Sequence, residues 1–155
     1  MNVGEIMTQA VKACGLDSDL ESVAMDMWNH DCGSIPVVDE SGRPVGIITD
    51  RDIAMAGALK GEALRNIKIG DVIEGHALHC CRSQDSVQSA LKTMWAEHVR
   101  RLPVINGDGR LAGILSVDDI VACAERGKRG HGAPALSYDD AMNTLKAVCR
   151  HHAAP

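Results

Sequence analysis

Part of this chain is written twice. Ile35-Pro36-Val37-Val38 returns as Leu102-Pro103-Val104-Ile105, and Gly46-Ile47-Ile48-Thr49 returns as Gly113-Ile114-Leu115-Ser116. Gly42 returns as Gly109, Asp52 as Asp119 and Trp28 as Trp95, each pair 67 positions apart. Upstream, Gly4 and Gly70 are 66 apart, so one residue is gained or lost between the copies. A fixed offset over so many matched types marks an internal repeat. One copy, at about 60 residues, would be marginally stable alone. Two copies that bury their apolar faces together would share a core, so the fold is expected to be built from two versions of one supersecondary unit.

Both copies parse alike. Ser18-Asp19-Leu20-Glu21 has the spacing of a capping box that opens a helix. Leu20, Val23, Ala24, Met27 and Trp28 follow at helical spacing, and Val87, Ala90, Leu91, Met94 and Trp95 do the same in the second copy. That spacing places both tryptophans on a core stripe. Short apolar runs at 35–38 and 45–48, and at 102–105 and 111–115, are separated by turn residues and predict two hairpins. Helices are predicted at 50–58 and at 117–125, the second closed by Gly127, and first strands near 11–14 and 78–81. Each copy is thus β-α-β-β-α, and the chain divides into repeats at 1–66 and 67–126. Residues 127–155 read as a Gly-rich linker and a short C-terminal helix, with Ser137-Tyr138-Asp139-Asp140 as its cap and Met142, Leu145, Val148 and Cys149 as its apolar stripe.

Composition narrows the function classes. Of 155 residues, 45% are hydrophobic and only 2% aromatic, with no Phe, so the core is aliphatic. Sixteen basic against 21 acidic residues give a net charge of −5, which argues against nucleic acid or an anionic membrane as a main partner. The start lacks a basic segment followed by an apolar run, so the expected location is cytoplasmic. There the six cysteines are expected as reduced thiols, with Cys14, Cys80, Cys81 and Cys123 in apolar surroundings.

The motif with most chemical content is Gly-x-x-Thr/Ser-x-x-Asp, at Gly46–Thr49–Asp52 and Gly113–Ser116–Asp119. Two readings stand. A hydroxyl three residues before an acid is ordinary helix capping. The same helix start offers free N–H groups to a phosphate, while the carboxylate can accept from ribose hydroxyls and the glycine admits a ligand close to the backbone.

The whole pattern, complete in both copies over roughly residues 1–126, resembles the CBS domain, named from cystathionine β-synthase, and two copies resemble a tandem pair or Bateman module. The resemblance implies an α+β fold with two β-α-β-β-α CBS repeats packed about a pseudo-two-fold axis. It implies clefts for AMP, ADP, ATP, S-adenosylmethionine or NAD as a regulatory ligand rather than a tightly bound cofactor. It also implies flat dimers, hence a homodimer. Carried onto this chain, Thr49 and Asp52 become phosphate and ribose contacts of one cleft, and Ser116 and Asp119 those of the other. Ile35-Pro36 and Leu102-Pro103 would flank the base, with Ala13-Cys14 and Cys80-Cys81.

The copies differ where phosphate would sit. Arg51 has Val117 as its counterpart, whereas Arg100, Arg101 and His98 stand where the first copy has Gly33, Ser34 and Asp31. Guanidinium forks suit phosphate oxygens, though solvated surface arginines are equally ordinary. Neighbouring strand residues face opposite ways, so His76, His79, Cys80 and Cys81 are not expected to converge on a metal. Common hydrolase, zincin and P-loop motifs are absent. The expected protein is a freestanding, non-enzymatic, nucleotide-responsive regulator. About 29 residues follow the repeats, so its effector is expected on a separate chain. The alternatives are a ligand-free protein-interaction or assembly module and a thiol- or metal-based sensor.

Overall fold

Hydroxyl and carboxylate side chains set where the helices begin, and they do so at matched points of the repeat. The computed structural model describes residues 1–126 and 134–149. In chain order its elements are α1 (Val3–Ile6), β1 (Thr8–Gln9), β2 (Cys14–Gly15), α2 (Leu20–Asn29), β3 (Ser34–Val38), β4 (Pro44–Thr49), α3 (Asp50–Lys60), a 3₁₀ turn (Leu64–Asn66) and α4 (Ile69–Ile73). There follow β5 (Cys81–Arg82), α5 (Val87–Glu97), β6 (Arg101–Ile105), β7 (Leu111–Ser116), α6 (Val117–Cys123) and α7 (Tyr138–Cys149). Asp19 caps α2 by accepting from the Ser22 N–H, and Ser86, its counterpart, caps α5 through Ser89. The cap of α2 is therefore one residue later than the sequence pattern places it. Ser18 Oγ instead accepts from the Gly15 N–H at 3.2 Å, tightening the turn before the helix.

The chain groups into two compact units, each mixed α and β. One holds residues 11–78 and 109–111, with a sheet in the order β2-β3-β4. There β2 runs parallel and β4 antiparallel to β3, and Ser34 lies opposite Thr49. Its core is Leu20, Val23 and Met27 of α2, Ile35, Val37 and Ile48 of the sheet, Ile53 of α3, and Ile67, Ile69 and Ile73 from the chain beyond α3. The other unit holds residues 1–10, 79–108 and the described residues from 112 onward, with a sheet in the order β1-β7-β6-β5. Its core joins Val3 to Leu91, Met94, Leu102, Val104, Leu115, Ile120, Leu136 and Val148.

The segment that opens each repeat thus sits in the unit of the other repeat's strands. The bonds that dock it match pair for pair. Val3 N donates to Asp85 O and Gly4 N to Ser83 O, while Ile69 N donates to Ser18 O and Gly70 N to Leu16 O. At Gly4 the approach is tight, since a Cβ there would lie 3.2 Å from the Ser83 carbonyl oxygen; at Gly70 a Cβ would make ordinary contact, 3.5 Å from that of Leu16.

Other departures from the sequence pattern are local. The first strands are two-residue pieces at Cys14–Gly15 and Cys81–Arg82. α6 stops at Cys123 because Glu125 leaves it to pair with the approach to α7: Glu125 N donates to Leu136 O, and Tyr138 N to Glu125 O. The proposed stop at Gly127 and the linker at 127–133 lie outside the described residues. The tryptophans, both expected in the core, part company. Trp95 packs on its core and donates Nε1–H to Thr144 Oγ1 of α7 at 2.8 Å. Trp28 is 81% exposed. α7 lies against α5 and α6, and it is this helix, not the repeat pattern, that covers Trp95.

The glycines that open the second half of each hairpin strand meet protein. A Cβ on Gly113 would stand 2.5 Å from the Thr8 carbonyl oxygen, whereas one on Gly46 would stand 2.5 Å from the tip of the Ile73 side chain. A side-chain tip can swing away and a paired backbone cannot. Gly113→Ala is therefore expected to destabilise by about 2–3 kcal/mol, near the upper range for overpacking, and Gly46→Ala by about 1 kcal/mol. Thermal or urea unfolding of both variants checks the order.

Candidate functional site

At the end of β4, Thr49 Oγ1 accepts from the Asp52 N–H at 3.2 Å, and the Thr49 N–H donates to Asp52 Oδ2 at 2.9 Å. Ser116 and Asp119 repeat this at the end of β7, with 3.2 Å and 2.7 Å. Both are capping boxes, each arising because an extended strand residue with a hydroxyl precedes the first helical turn. A third box of the same geometry joins Ser137 and Asp140 at α7. The box therefore describes a helix start, and it takes further residues to make a site of it.

Asp119 has them. Its Oδ2 accepts from Ser116, and its Oδ1 accepts from Thr8 Oγ1 at 2.9 Å. Thr8 comes from the opening segment, 111 residues away in sequence, and places an exposed hydroxyl on a half-buried carboxylate. Sequence reasoning missed Thr8. The Gly4–Gly70 pair aligns the opening segments, but nothing in that alignment tells that they dock on the other repeat's strands. At the same offset the sequence counterpart of Thr8 is Glu74. A carboxylate cannot repeat the donation that Thr8 makes, and among the described hydrogen bonds Asp52 pairs with Thr49 alone, so the two sites are chemically unequal. Asp52 borders a groove of about 260 Å³ that is shared with Lys60, Asp71 and His76.

The arginine difference is placed by the backbone. Arg100 O accepts from the Val117 N–H, just as Gly33 O accepts from the Asp50 N–H. Arg100 (exposed) and Arg101 (half-buried) therefore stand beside the α6 start that carries Ser116 and Asp119. Arg51 is exposed in the first turn of α3. Ile35 and Leu102 are fully buried in the two cores and Pro36 and Pro103 are buried. The close approach that Gly46 and Gly113 were expected to grant a ligand is taken up by Ile73 and by the Thr8 backbone.

The cysteines divide by environment. Burial pushes the Cys81 thiol up to about 12, helped by Asp85 and Cys80, and the Cys14 thiol up to about 11, helped by Asp26 and opposed by Lys12. Burial also raises Cys80. Among the described residues, no three His, Cys, Asp or Glu side chains converge as a metal site. His79 Nε2 faces Glu97 Oε2 at 3.5 Å.

The family model for the CBS domain matches residues 3–58 and 69–125. The chain is a CBS-domain protein. Hypoxic response protein 1 of Mycobacterium tuberculosis is 32% identical over 116 residues, which cover 75% of this chain and 80% of that protein. A crystal structure of Hypoxic Response Protein I with two coordinated zinc ions superposes with a TM-score of 0.72 at 30% identity, covering 81% of this CBS pair and all of that chain. The CBS domain pair of protein MJ0100, in complex with 5-methylthioadenosine and S-adenosyl-L-methionine, gives a TM-score of 0.67 at 25% identity, over 79% and 98% of the two chains. Other curated relatives are much longer: this chain spans 61% of an uncharacterized Methanopyrus kandleri protein, at 28% identity. It spans 26% of a Methanohalophilus mahii homoserine O-acetyltransferase, at 33% identity.

Thiol chemistry of the CBS pair follows from burial. Only the thiolate attacks a disulfide reagent, and at pH 8 thiols titrating near 11 and 12 are almost wholly protonated. The exposed Cys149 is expected to react with a thiol reagent first, and Cys14 and Cys81 only at the rate of unfolding. Timed alkylation with peptide mapping reads the order.

Proposed function

We propose that this CBS pair is a non-enzymatic regulator that binds an adenosine-containing ligand beside Ser116 and Asp119 and works as a cytoplasmic homodimer. The observation that carries the reading is the Thr8–Asp119 contact: a hydroxyl from one repeat's opening segment resting on the acid of the other repeat's motif. A ribose hydroxyl is the same kind of donor, so a ligand can join or replace Thr8 at that carboxylate. Arg100 and Arg101 at the helix start suit a ligand's phosphates, with the Leu102-Pro103 segment beside them. In the first repeat Thr49, Arg51, Asp52 and the Ile35-Pro36 segment form the weaker counterpart. The adenosine ligands of the MJ0100 pair, at 25% identity, support this ligand class; AMP, ADP, ATP, S-adenosylmethionine and NAD fall within it.

The regulation is linkage. A ligand that binds one conformation of the module better raises that conformation's population, and a separate effector protein responds to the shift. The test is thermal unfolding with AMP, ATP and S-adenosylmethionine in turn. A ligand at a hundred times its Kd should add about 2.7 kcal/mol. If none of them shifts the transition, the protein is a ligand-free interaction module instead.

Asp119→Ala should weaken binding by about 1.5–3 kcal/mol, the range for hydrogen bonds to a charged group, as read by calorimetry on a variant that keeps its fold. Thr8→Val should not weaken binding, since it removes a donor that shares the same carboxylate. Arg101→Ala should lower affinity for ATP more than for AMP, and the difference should narrow as salt screens the guanidinium. Equal losses for the two nucleotides would restrict Arg101 to the part they share.

A further inference from the structure

The segment that follows α1 and the matching segment that follows α4 take different shapes. At an offset of 66, Thr8, Gln9 and Ala10 answer to Glu74, Gly75 and His76. Thr8 and Gln9 form β1 and lie along the edge of β7, opposite Ile114 and Gly113. In the first repeat β4, the counterpart of β7, ends its sheet among the described residues. There Ile73–His76 close a turn instead. The His76 N–H donates to Ile73 O at 3.0 Å, and Glu74 (φ −54°, ψ 127°) and Gly75 (φ 78°) have the backbone angles of a type II turn. One repeated segment is thus seen in two states, laid on a strand edge and folded away from one.

The docked state also fills the acid of its motif. Asp119 Oδ2 accepts from the N–H and the hydroxyl of Ser116, and Oδ1 accepts from Thr8 Oγ1. Asp52 Oδ2 takes the same two bonds from Thr49, while its Oδ1 takes none among the described residues. A ribose diol needs the carboxylate oxygen that the capping box leaves over, and at Asp119 Thr8 holds it. We propose that Thr8–Gln9 is a strap that closes the Asp119 site at rest and leaves β7 when a ribose hydroxyl takes Asp119 Oδ1.

The strap is built to hold weakly. It has two residues, both exposed. It ends at Ala10, whose φ of 52° lies in the left-handed region that alanine enters only at a cost. The counterpart His76, beyond the turn, lies outside that region. Release therefore relieves Ala10. What keeps the strap docked is Gln9: the folded-away turn uses Gly75 at that position, with φ 78°, and glutamine fits it poorly. The strap is the moving part of the site proposed above and rests on that reading. It gives the linkage a physical element, because a ligand that binds only the open form draws the strap off the sheet edge.

The test is hydrogen exchange by mass spectrometry on the full chain, following peptides that contain residues 7–10 and 111–116, with AMP or S-adenosylmethionine at saturation. Either compound, once bound, should speed exchange in both peptides by about tenfold, the mark of a local opening. Gln9→Gly should speed it without any ligand. If the strap is docked about nine-tenths of the time, this variant should also bind up to about tenfold more tightly, since affinity scales with the open fraction. Ala10→Gly removes the strain at the strap's end and should slow exchange and weaken binding. Both substitutions fall at exposed positions, and circular dichroism checks their folding. Binding that Asp119→Ala abolishes but that leaves the strap's exchange unchanged or slower would overturn the strap and leave the site standing. Faster exchange in Gln9→Gly with unchanged affinity would also overturn it, since nothing would then compete for the carboxylate. Failure of both compounds to bind wild type and Gln9→Gly would remove the site and the strap's role together.

Discussion

Four main-chain hydrogen bonds, from Val3 to Asp85, Gly4 to Ser83, Ile69 to Ser18 and Gly70 to Leu16, dock the opening segment of each repeat into the other repeat's core. The rest of both units follows from this docking. It delivers Val3 to one core and Ile67, Ile69 and Ile73 to the other, all buried. It forces glycine at 113, where the arriving backbone pairs with the sheet edge, with Gln9 opposite Gly113. It also brings the Thr8 hydroxyl to Asp119. Core packing and the assembly of the candidate site are therefore consequences of one backbone event.

Local periodicity and turn chemistry made most of this legible in advance. The 3.6-residue spacing of α2 and α5, the hairpins and the capping residues rest on interactions within a few residues, which a sequence displays directly. The exchange of opening segments does not, because a two-residue strand such as Thr8–Gln9 carries no periodicity and its partner lies more than a hundred residues away. Trp28 was misread for a related reason. Its spacing is that of a core residue, and in the second repeat that position is covered. The cover is α7, which occurs once in the chain, so no repeat pattern could assign it to one copy. Asp52 and Asp119 were found together by motif, yet the motif's geometry recurs at Ser137–Asp140, at the start of α7. What separates Asp119 from Asp52 is Thr8, a donor that comes from tertiary structure; Asp140 likewise accepts from a distant residue, Gln88 Nε2, at 3.2 Å.

Divergence between the copies follows surroundings rather than position in the repeat. The half-buried and buried hydrophobics remain close in type: Ile35 with Leu102, Val37 with Val104, Ile48 with Leu115, Ile53 with Ile120. The changes gather at the helix starts and at the exposed helix faces. Gly33-Ser34 becomes Arg100-Arg101, Asp31 becomes His98, Met25 becomes Lys92 and Thr8 answers to Glu74. Core packing tolerates only volume-conserving change, while a surface can take on a new partner at little cost in stability. Two copies of one unit have in this way acquired different chemistry on the same scaffold.

The contact between Thr8 and Asp119 also sets an order of events during synthesis. Thr8 leaves the ribosome 111 residues before Asp119, several seconds earlier at ordinary elongation rates. Through that interval the unit of residues 11–78 has nearly all of its own segments, while Val3 and the strand at Thr8 have no sheet to join. A nascent chain therefore holds an unpaired opening segment until β7 arrives, and the site at Asp119 exists only once both repeats have been translated.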